Sequence, residues 1–433
     1  MKLPILTFAT ALMATGGAAE AANFEFWYGN TGKVEEAIVK MCEGFNAAQT
    51  KHRVTCVGQG SYELVIQKAI AAYRAKKPPL MIQFMDAGTL DIMLSDAVVP
   101  VQDIDKDVDW NSFIPGERSY YETKSGKLYA QPLNASTLLF YTNKTLLEKA
   151  GVAETPKTWE AIVAAARKLK DAGVACPYAL NAEPWVVLEQ FSARHGLPIA
   201  TKHNGYDGLD AEYVFNTTLA AKHLANLAEW RNEGLMKLGA DTKAGNYAAA
   251  FRAGECAMTE GSSGLYSGFT DAFAGKYKLS IDMAPLYDGQ ERHNTFVGGA
   301  SIYVMKGHGD EQIDGARAFL AFVRQPEQQL TFAGATGYVP VTKEALDTIA
   351  ESQDPAKFAT ALIGVASMSA PATPDTRGIR LGSYIQFRQV FAEETDKAFA
   401  GQQSMQTALD RAKKRGDEQL RRFEQTYKGA ELP

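Results

Sequence analysis

At 433 residues, with 46% hydrophobic and 22% charged side chains, the chain is too long for one ordinary domain and too apolar to be disordered. Its net charge of −5 excludes the basic surface that nucleic acid demands, so no nucleic-acid partner is expected. The same balance gives an anionic ligand no overall attraction; local dipoles and a well-placed cation must hold it.

The first residues are Met1-Lys2, an apolar and small-residue run over 3–15, and Ala19-Glu20-Ala21. The run is shorter than the roughly 20 residues that span a bilayer. It predicts a signal peptide over 1–21, cleaved between Ala21 and Ala22, and a protein exported to the periplasm. Phe24, Phe26 and Tyr28 then alternate as in a strand, and 33–49 place Ala37, Ile38, Met41 and Phe45 on one helical face. A strand over 52–57, a helix over 62–77 and an apolar strand over 80–85 follow. Such alternation predicts right-handed crossovers and a parallel sheet, with ligands at the carboxyl ends of its strands. That rule picks out the loops 27–30, 58–62 and 86–89.

A second unit starts near residue 135, with a strand over 138–141, a helix over 144–150 stopped by Gly151, a helix over 158–170 and a strand over 175–180. Helices dominate to about 255, before strands over 256–259 and 294–305 and a helix over 311–324. The last helix, 404–427, carries Arg411, Arg415, Arg421 and Arg422, which read as a solvated face. No flexible linker separates the units, so crossing strands are expected to join them. Four cysteines in an exported chain are expected to pair. Pairing within each region, Cys42–Cys56 and Cys176–Cys256, is favoured, although four cysteines allow three connectivities and sequence does not choose among them.

Catalytic patterns are missing. The six histidines contain no HxH, HxxH or HExxH spacing, and there is no GxxxxGK[ST] loop or GxGxxG after a strand. Gly261-Ser262-Ser263-Gly264 fails the GxSxG pattern in either register. No metal, cofactor or catalytic residue is expected.

Several ordered segments resemble one family. They include Tyr141-Thr142-Asn143-Lys144, Pro156-Lys157-Thr158-Trp159-Glu160, Gln131-Pro132-Leu133-Asn134-Ala135-Ser136, Gly254-Glu255-Cys256-Ala257-Met258-Thr259, Gly298-Gly299-Ala300-Ser301, Thr336-Gly337-Tyr338-Val339-Pro340 and Arg380-Leu381-Gly382. In this order and spacing they resemble family 1 extracellular solute-binding proteins, the group that includes maltose-binding protein, and within it the branch that takes up sn-glycerol 3-phosphate. The resemblance implies an α/β periplasmic-binding-protein fold of two lobes, each a mostly parallel sheet flanked by helices, with hinge strands between. The lobes are expected at 22–134 plus about 288–345 and at 135–287 plus about 346–433. It also implies a monomer that captures glycerol 3-phosphate, or a glycerophosphodiester such as glycerophosphocholine, and delivers it to the permease of an ABC importer. A sugar ligand on the same fold is the alternative, and a glycerophosphodiesterase a remote one.

Carried over residue by residue, the family pattern gives Tyr62, Ser136, Ser262, Gly299, Tyr338 and Arg388 as ligand-binding, together with Asp86, where the family has Glu. Arg388 suits a phosphate, Asp86 the glycerol hydroxyls, and their opposite charges put the two groups at opposite ends. Ser262 and Ser263 precede a helical stretch, which suits either an anion or plain N-capping. Gly299 either admits a ligand or marks a bulge. Ala182 stands where the family has tryptophan, three residues before a retained Trp185. That change opens room for a larger head group, with Trp185 facing a choline cation.

Overall fold

The computed structural model describes residues 22–352 and 355–433. The expected signal peptide, 1–21, therefore lies outside the described residues. Two sheets organise the chain. The first contains β1 (Asn23–Tyr28), β2 (Arg53–Gly58), β3 (Met81–Met85), β4 (Val98–Val99), β5 (Gln131–Ser136) and β11 (Gly298–Met305). Its order is β2-β1-β3-β11-β4, with β5 also paired to β11. The second has the order β10-β6-β9-β7-β8, built from β6 (Leu138–Asn143), β7 (Cys176–Leu180), β8 (Met236–Leu238), β9 (Cys256–Ser262) and β10 (Leu279–Met283).

The local reasons are those of patterning. Phe24, Phe26 and Tyr28 point into the core, where helix Gly32–Ala48 buries Val34, Ala37, Ile38, Met41 and Phe45. Phe45 meets Phe319 of helix Asp310–Arg324 edge to face at 5.2 Å. Helix Tyr62–Arg74 starts where Ser61 Oγ accepts from Leu64 N, and buries only Val65 and Ala69. Helix Trp159–Asp171 starts the same way, on Thr158.

The sheets are mixed rather than mostly parallel. Parallel pairing is confined to β1 with β2 and β3 in the first sheet, and to β7 with β8 and β9 in the second. β11 runs antiparallel to β3, β4 and β5, and β6 antiparallel to β9 and β10. The reason lies in the connections. β6 follows β5 after Thr137 alone, and β11 arrives from β10 in the other sheet, so neither has the helical crossover that makes strands parallel. Both favoured disulfides form. Cys42–Cys56 ties the first helix to β2, and Cys176–Cys256 bridges directly paired residues of β7 and β9. No helix among the described residues is long and apolar enough to cross a membrane.

Helix Tyr384–Phe399, packed along helix Met405–Thr426, is pinned at its start to the first sheet's side of the molecule. Asp91 accepts from Ser383 N with both oxygens, at 3.1 and 3.2 Å. Buried Arg380 donates to the carbonyls of Tyr120 and Glu122 at 3.2 and 2.9 Å. Burial pushes the Asp91 carboxyl from 3.8 up to about 7, against the Ser383 hydrogen bonds. A folded pKa above the unfolded one means the native state binds the extra proton, so ionising Asp91 removes stability as pH rises from about 4 to about 7. Asp91→Asn keeps an acceptor without the charge. Its melting temperature minus the parent's is expected to be near zero around pH 4, to grow with pH, and to level off above about pH 7. A difference that stays flat across thermal scans in that range contradicts this.

Candidate ligand-binding cleft

A cleft of about 460 Å³ lies between the two sheets. The loop after β1 contributes Asn30, the helix after β2 starts with Tyr62 and Glu63, and β3 ends in Met85 with Asp86 opening the turn that follows. Each of the three loops selected by the carboxyl-end rule thus supplies a lining residue. Ser136 ends β5, Gly299 lies on β11, and Ser262 ends β9. Glu183, Pro184 and Trp185 follow β7; Tyr338 follows helix Pro326–Thr336; Ile385, Arg388, Gln389 and Ala392 come from helix Tyr384–Phe399.

Tyr62, Asp86, Ser136, Trp185, Ser262, Gly299, Tyr338 and Arg388 are therefore brought together in one cavity. Ala182 is not among its lining residues; it packs, partly buried, against the core just before Glu183. A methyl group there leaves this stretch of wall to Pro184 and Trp185.

Charge in the cleft is arranged differently from the sequence expectation. Arg388 is held by Glu189, with Nε donating to Oε1 at 2.7 Å and Nη2 to Oε2 at 2.6 Å. The same Nη2 reaches Asp86 Oδ1 at 3.5 Å. Asp86 and Arg388 thus sit side by side and cannot mark opposite ends of a ligand. The physical reason is burial: Asp86 is 3% exposed, and a buried carboxylate needs a cation or a proton. Burial raises its pKa to about 6, with the Glu189 charge adding to the rise and Arg388 opposing it. Glu189 comes from the π-helical turn Trp185–Gln190, which also carries Trp185. Glu63 and Glu183 line the cleft with no ion-pair partner among the described residues, and Arg388 is the only lysine or arginine in the lining.

The neutral donors of the lining include the hydroxyls of Tyr62, Ser136, Ser262 and Tyr338 and the Gln389 amide. Ser262 Oγ accepts from Gly264 N at 3.2 Å, and Ser263 N donates to Thr137 O at 2.9 Å. Those two amides are therefore taken, which favours the capping reading of the Ser262-Ser263 pair; the Ser262 hydroxyl proton is left for the cleft. Gly299 is required by its neighbour strand. Its φ is +110°, and a Cβ would lie 1.9 Å from Asn134 O, beside the register shift at Ala300. Trp185 lies over Gly298, where a Cβ would meet the indole at 2.5 Å, and its buried Nε1 has no partner among the described residues. Tyr338 stacks on Phe332, with ring centroids 5.9 Å apart.

Sequence reasoning missed Glu63, Glu183 and Glu189, and also Gln83 and Asn134, which together with Asn30 of the first selected loop support Tyr62. One signal was available for Gln83: it is a lone amide in the otherwise apolar strand Met81–Met85. Nothing in the sequence pattern pairs Glu189 with Arg388, 199 residues away.

Comparison with known proteins is consistent with this geometry. Residues 40–360 match the family model of bacterial extracellular solute-binding proteins. The sn-glycerol-3-phosphate-binding periplasmic protein UgpB of Escherichia coli K12 is 35% identical over 432 residues, 97% of each chain. Its counterpart in Salmonella paratyphi A is 35% identical over 435 residues, 98% of each chain. Among solved structures, UgpB from Mycobacterium tuberculosis in complex with glycerophosphocholine superposes with a TM-score of 0.73 at 19% identity, covering 93% of this chain and 99% of that one. The GacH receptor of Streptomyces glaucescens gives 0.76 at 16% identity, covering 93% and 99%. With its two-sheet α/β fold and full-length relatives, the chain belongs to the bacterial extracellular solute-binding proteins, the solute-capturing components of ABC importers.

Proposed function

We propose that the cleft captures a zwitterionic glycerophosphodiester, with glycerophosphocholine as its type, in preference to glycerol 3-phosphate. The lobes 22–134 plus about 288–345 and 135–287 plus about 346–433 close over it in the periplasm and pass it, chemically unchanged, to the permease. The protein acts as a monomer after removal of residues 1–21. Relatives named for sn-glycerol 3-phosphate and one solved with glycerophosphocholine support the glycerophospho class.

One observation carries the choice within that class. Glu63, Asp86 and Glu183 face the cleft against Arg388 alone, and Arg388 is already paired with Glu189. Two unit charges 4 Å apart interact by about 4 kcal/mol at an effective dielectric constant near 20. A phosphomonoester dianion brings two charges into that field; a diester brings one, and its ammonium is drawn to the unpaired carboxylates. Trp185 offers the aromatic face that a quaternary ammonium prefers. The phosphoryl oxygens then meet the hydroxyls of Tyr62, Ser136, Ser262 and Tyr338 and the free edge of Arg388.

Calorimetric titration of the ligand-free mature protein is expected to show glycerophosphocholine binding at least tenfold tighter than glycerol 3-phosphate, a difference of about 1.4 kcal/mol. Equal affinities, or tighter binding of the monoester, contradict the proposal. Ala182→Trp rebuilds a wall beside Trp185 and is expected to weaken glycerophosphocholine about tenfold, an effect of about 1.4 kcal/mol, while changing glycerol 3-phosphate less. Full retention of glycerophosphocholine affinity in that variant removes Ala182 from the specificity account.

A further inference from the structure

Beneath Tyr62 lies a closed set of side-chain amides whose polarity is fixed from one end. Gly29 N donates to Gln83 Oε1 at 2.8 Å. A backbone N–H cannot accept, so this contact sets which way the Gln83 amide faces. Gln83 Nε2 must then be the atom that meets Asn30 Oδ1 at 2.6 Å and Asn134 Oδ1 at 2.7 Å. Both asparagines are thereby oriented in turn, each with its oxygen engaged. Their Nδ2 groups both point at the Tyr62 hydroxyl, at 3.1 Å from Asn30 and 2.7 Å from Asn134. Gln83 and Asn134 are fully buried, so water does not compete for these amides.

A phenol oxygen that accepts two N–H bonds has no acceptor left among those amides for its own proton. Burial, first, and the neighbouring Tyr338 hold the Tyr62 hydroxyl well above its ordinary pKa, so the proton stays on. Tyr338 interacts with Tyr62 itself and with its two asparagine partners, Asn134 and Asn30. If Tyr62 donates to Tyr338, the Tyr338 proton is displaced into the cleft instead, and the outcome is the same.

We infer that Gln83, Asn30 and Asn134 are positioning residues that force an O–H donor into the cleft at Tyr62 and Tyr338, so that this end of the site takes an acceptor-only group. This rests on the ligand reading above, in which that group is a phosphoryl oxygen. A ligand hydroxyl there gains less, because it can accept from the phenol but finds no free acceptor for its own proton among the three amides. Gln83 and Asn134 lie outside the lining and need not touch the ligand to exert this selection.

Gln83→Glu is the near-isosteric reversal. A carboxylate cannot donate to the two asparagine oxygens, so both amides turn over and draw the Tyr62 proton inward. Titrated with glycerophosphocholine, Tyr62→Phe and Gln83→Glu are each expected to bind about tenfold weaker, equivalent to about 1.4 kcal/mol. The double variant is expected to be no weaker than either, because both remove the same proton. Additive losses mean that Gln83→Glu acts through its charge or through unfolding, and they overturn the relay. Gln83→Met, neutral and of similar shape, is expected to lose about threefold, and parent-like affinity in it also overturns the relay. Neutron diffraction from perdeuterated, ligand-free crystals tests the same claim without any ligand. The expected map shows asparagine amide deuterons on Tyr62 Oη and the Tyr62 deuteron directed away from Asn30 and Asn134; a Tyr62 deuteron on either asparagine oxygen refutes the inference. Failure of glycerophosphocholine to bind the parent protein would count against the ligand reading, and the neutron map would then decide the relay separately.

Discussion

Among the described residues Arg388 is the one lysine or arginine in the cleft lining, and its fork is closed on Glu189 before any ligand arrives. The rest of the site follows from that pairing. An unpaired guanidinium in so enclosed a place would be costly, and so would the buried carboxylates of Glu189 and Asp86. Together the three groups form a satisfied cluster with one negative charge in excess. Burial, reinforced by that excess, makes Asp86 hold its proton up to about pH 6. The cleft therefore recognises its ligand mostly through neutral donors, with Arg388 contributing one edge rather than a whole bidentate clamp. The same physics couples the two halves of the molecule, since Asp86 follows a strand of the first sheet and Glu189 a strand of the second. Asp91 and Arg380 hold the start of the Arg388 helix, which leaves the guanidinium little freedom to choose another partner.

Much of the fold was legible because its strongest elements repeat simple periods. β1, the helix after it and β3 announce themselves by alternation, by a single apolar face and by a run of buried residues. β5 gave no such signal: Gln131-Pro132-Leu133-Asn134-Ala135-Ser136 is buried on both sides, with polar residues satisfied by neighbours distant in sequence. β8 has three residues and β10 is only half-buried, so neither shows a clear period. The antiparallel strands were invisible for a different reason. Whether a strand runs with or against its neighbour depends on where the chain comes from, and strands that cross between sheets carry no local mark of it.

For the site the division is similar. The family resemblance pointed to eight residues that line one cavity, and the carboxyl-end rule independently pointed to three of its loops. Neither could supply the partners. Glu189 meets Arg388 across 199 residues of chain, and the Gln83–Asn134 contact spans 51. Hydrogen-bond partners of this kind are tertiary facts. They also add to the meaning of residues already identified: Asp86 moves from a glycerol-binding end to a place beside the arginine, while Gly299 and Ser262, still in the lining, also serve a close approach between strands and the cap of a turn.

Charge neutralisation of Arg388 by Glu189 is the claim on which the choice of ligand depends. The most direct measurement is calorimetric titration of Glu189→Gln with glycerol 3-phosphate and with glycerophosphocholine at pH 8, where Asp86 is ionised. The amide that replaces the carboxylate keeps a hydrogen bond to Arg388 but removes one negative charge from the cluster, leaving the guanidinium opposed only by the more distant Asp86. The account predicts that the affinity ratio shifts toward glycerol 3-phosphate by about tenfold, equivalent to about 1.4 kcal/mol. A ratio that stays where it was, or one that shifts further toward the diester, would contradict it.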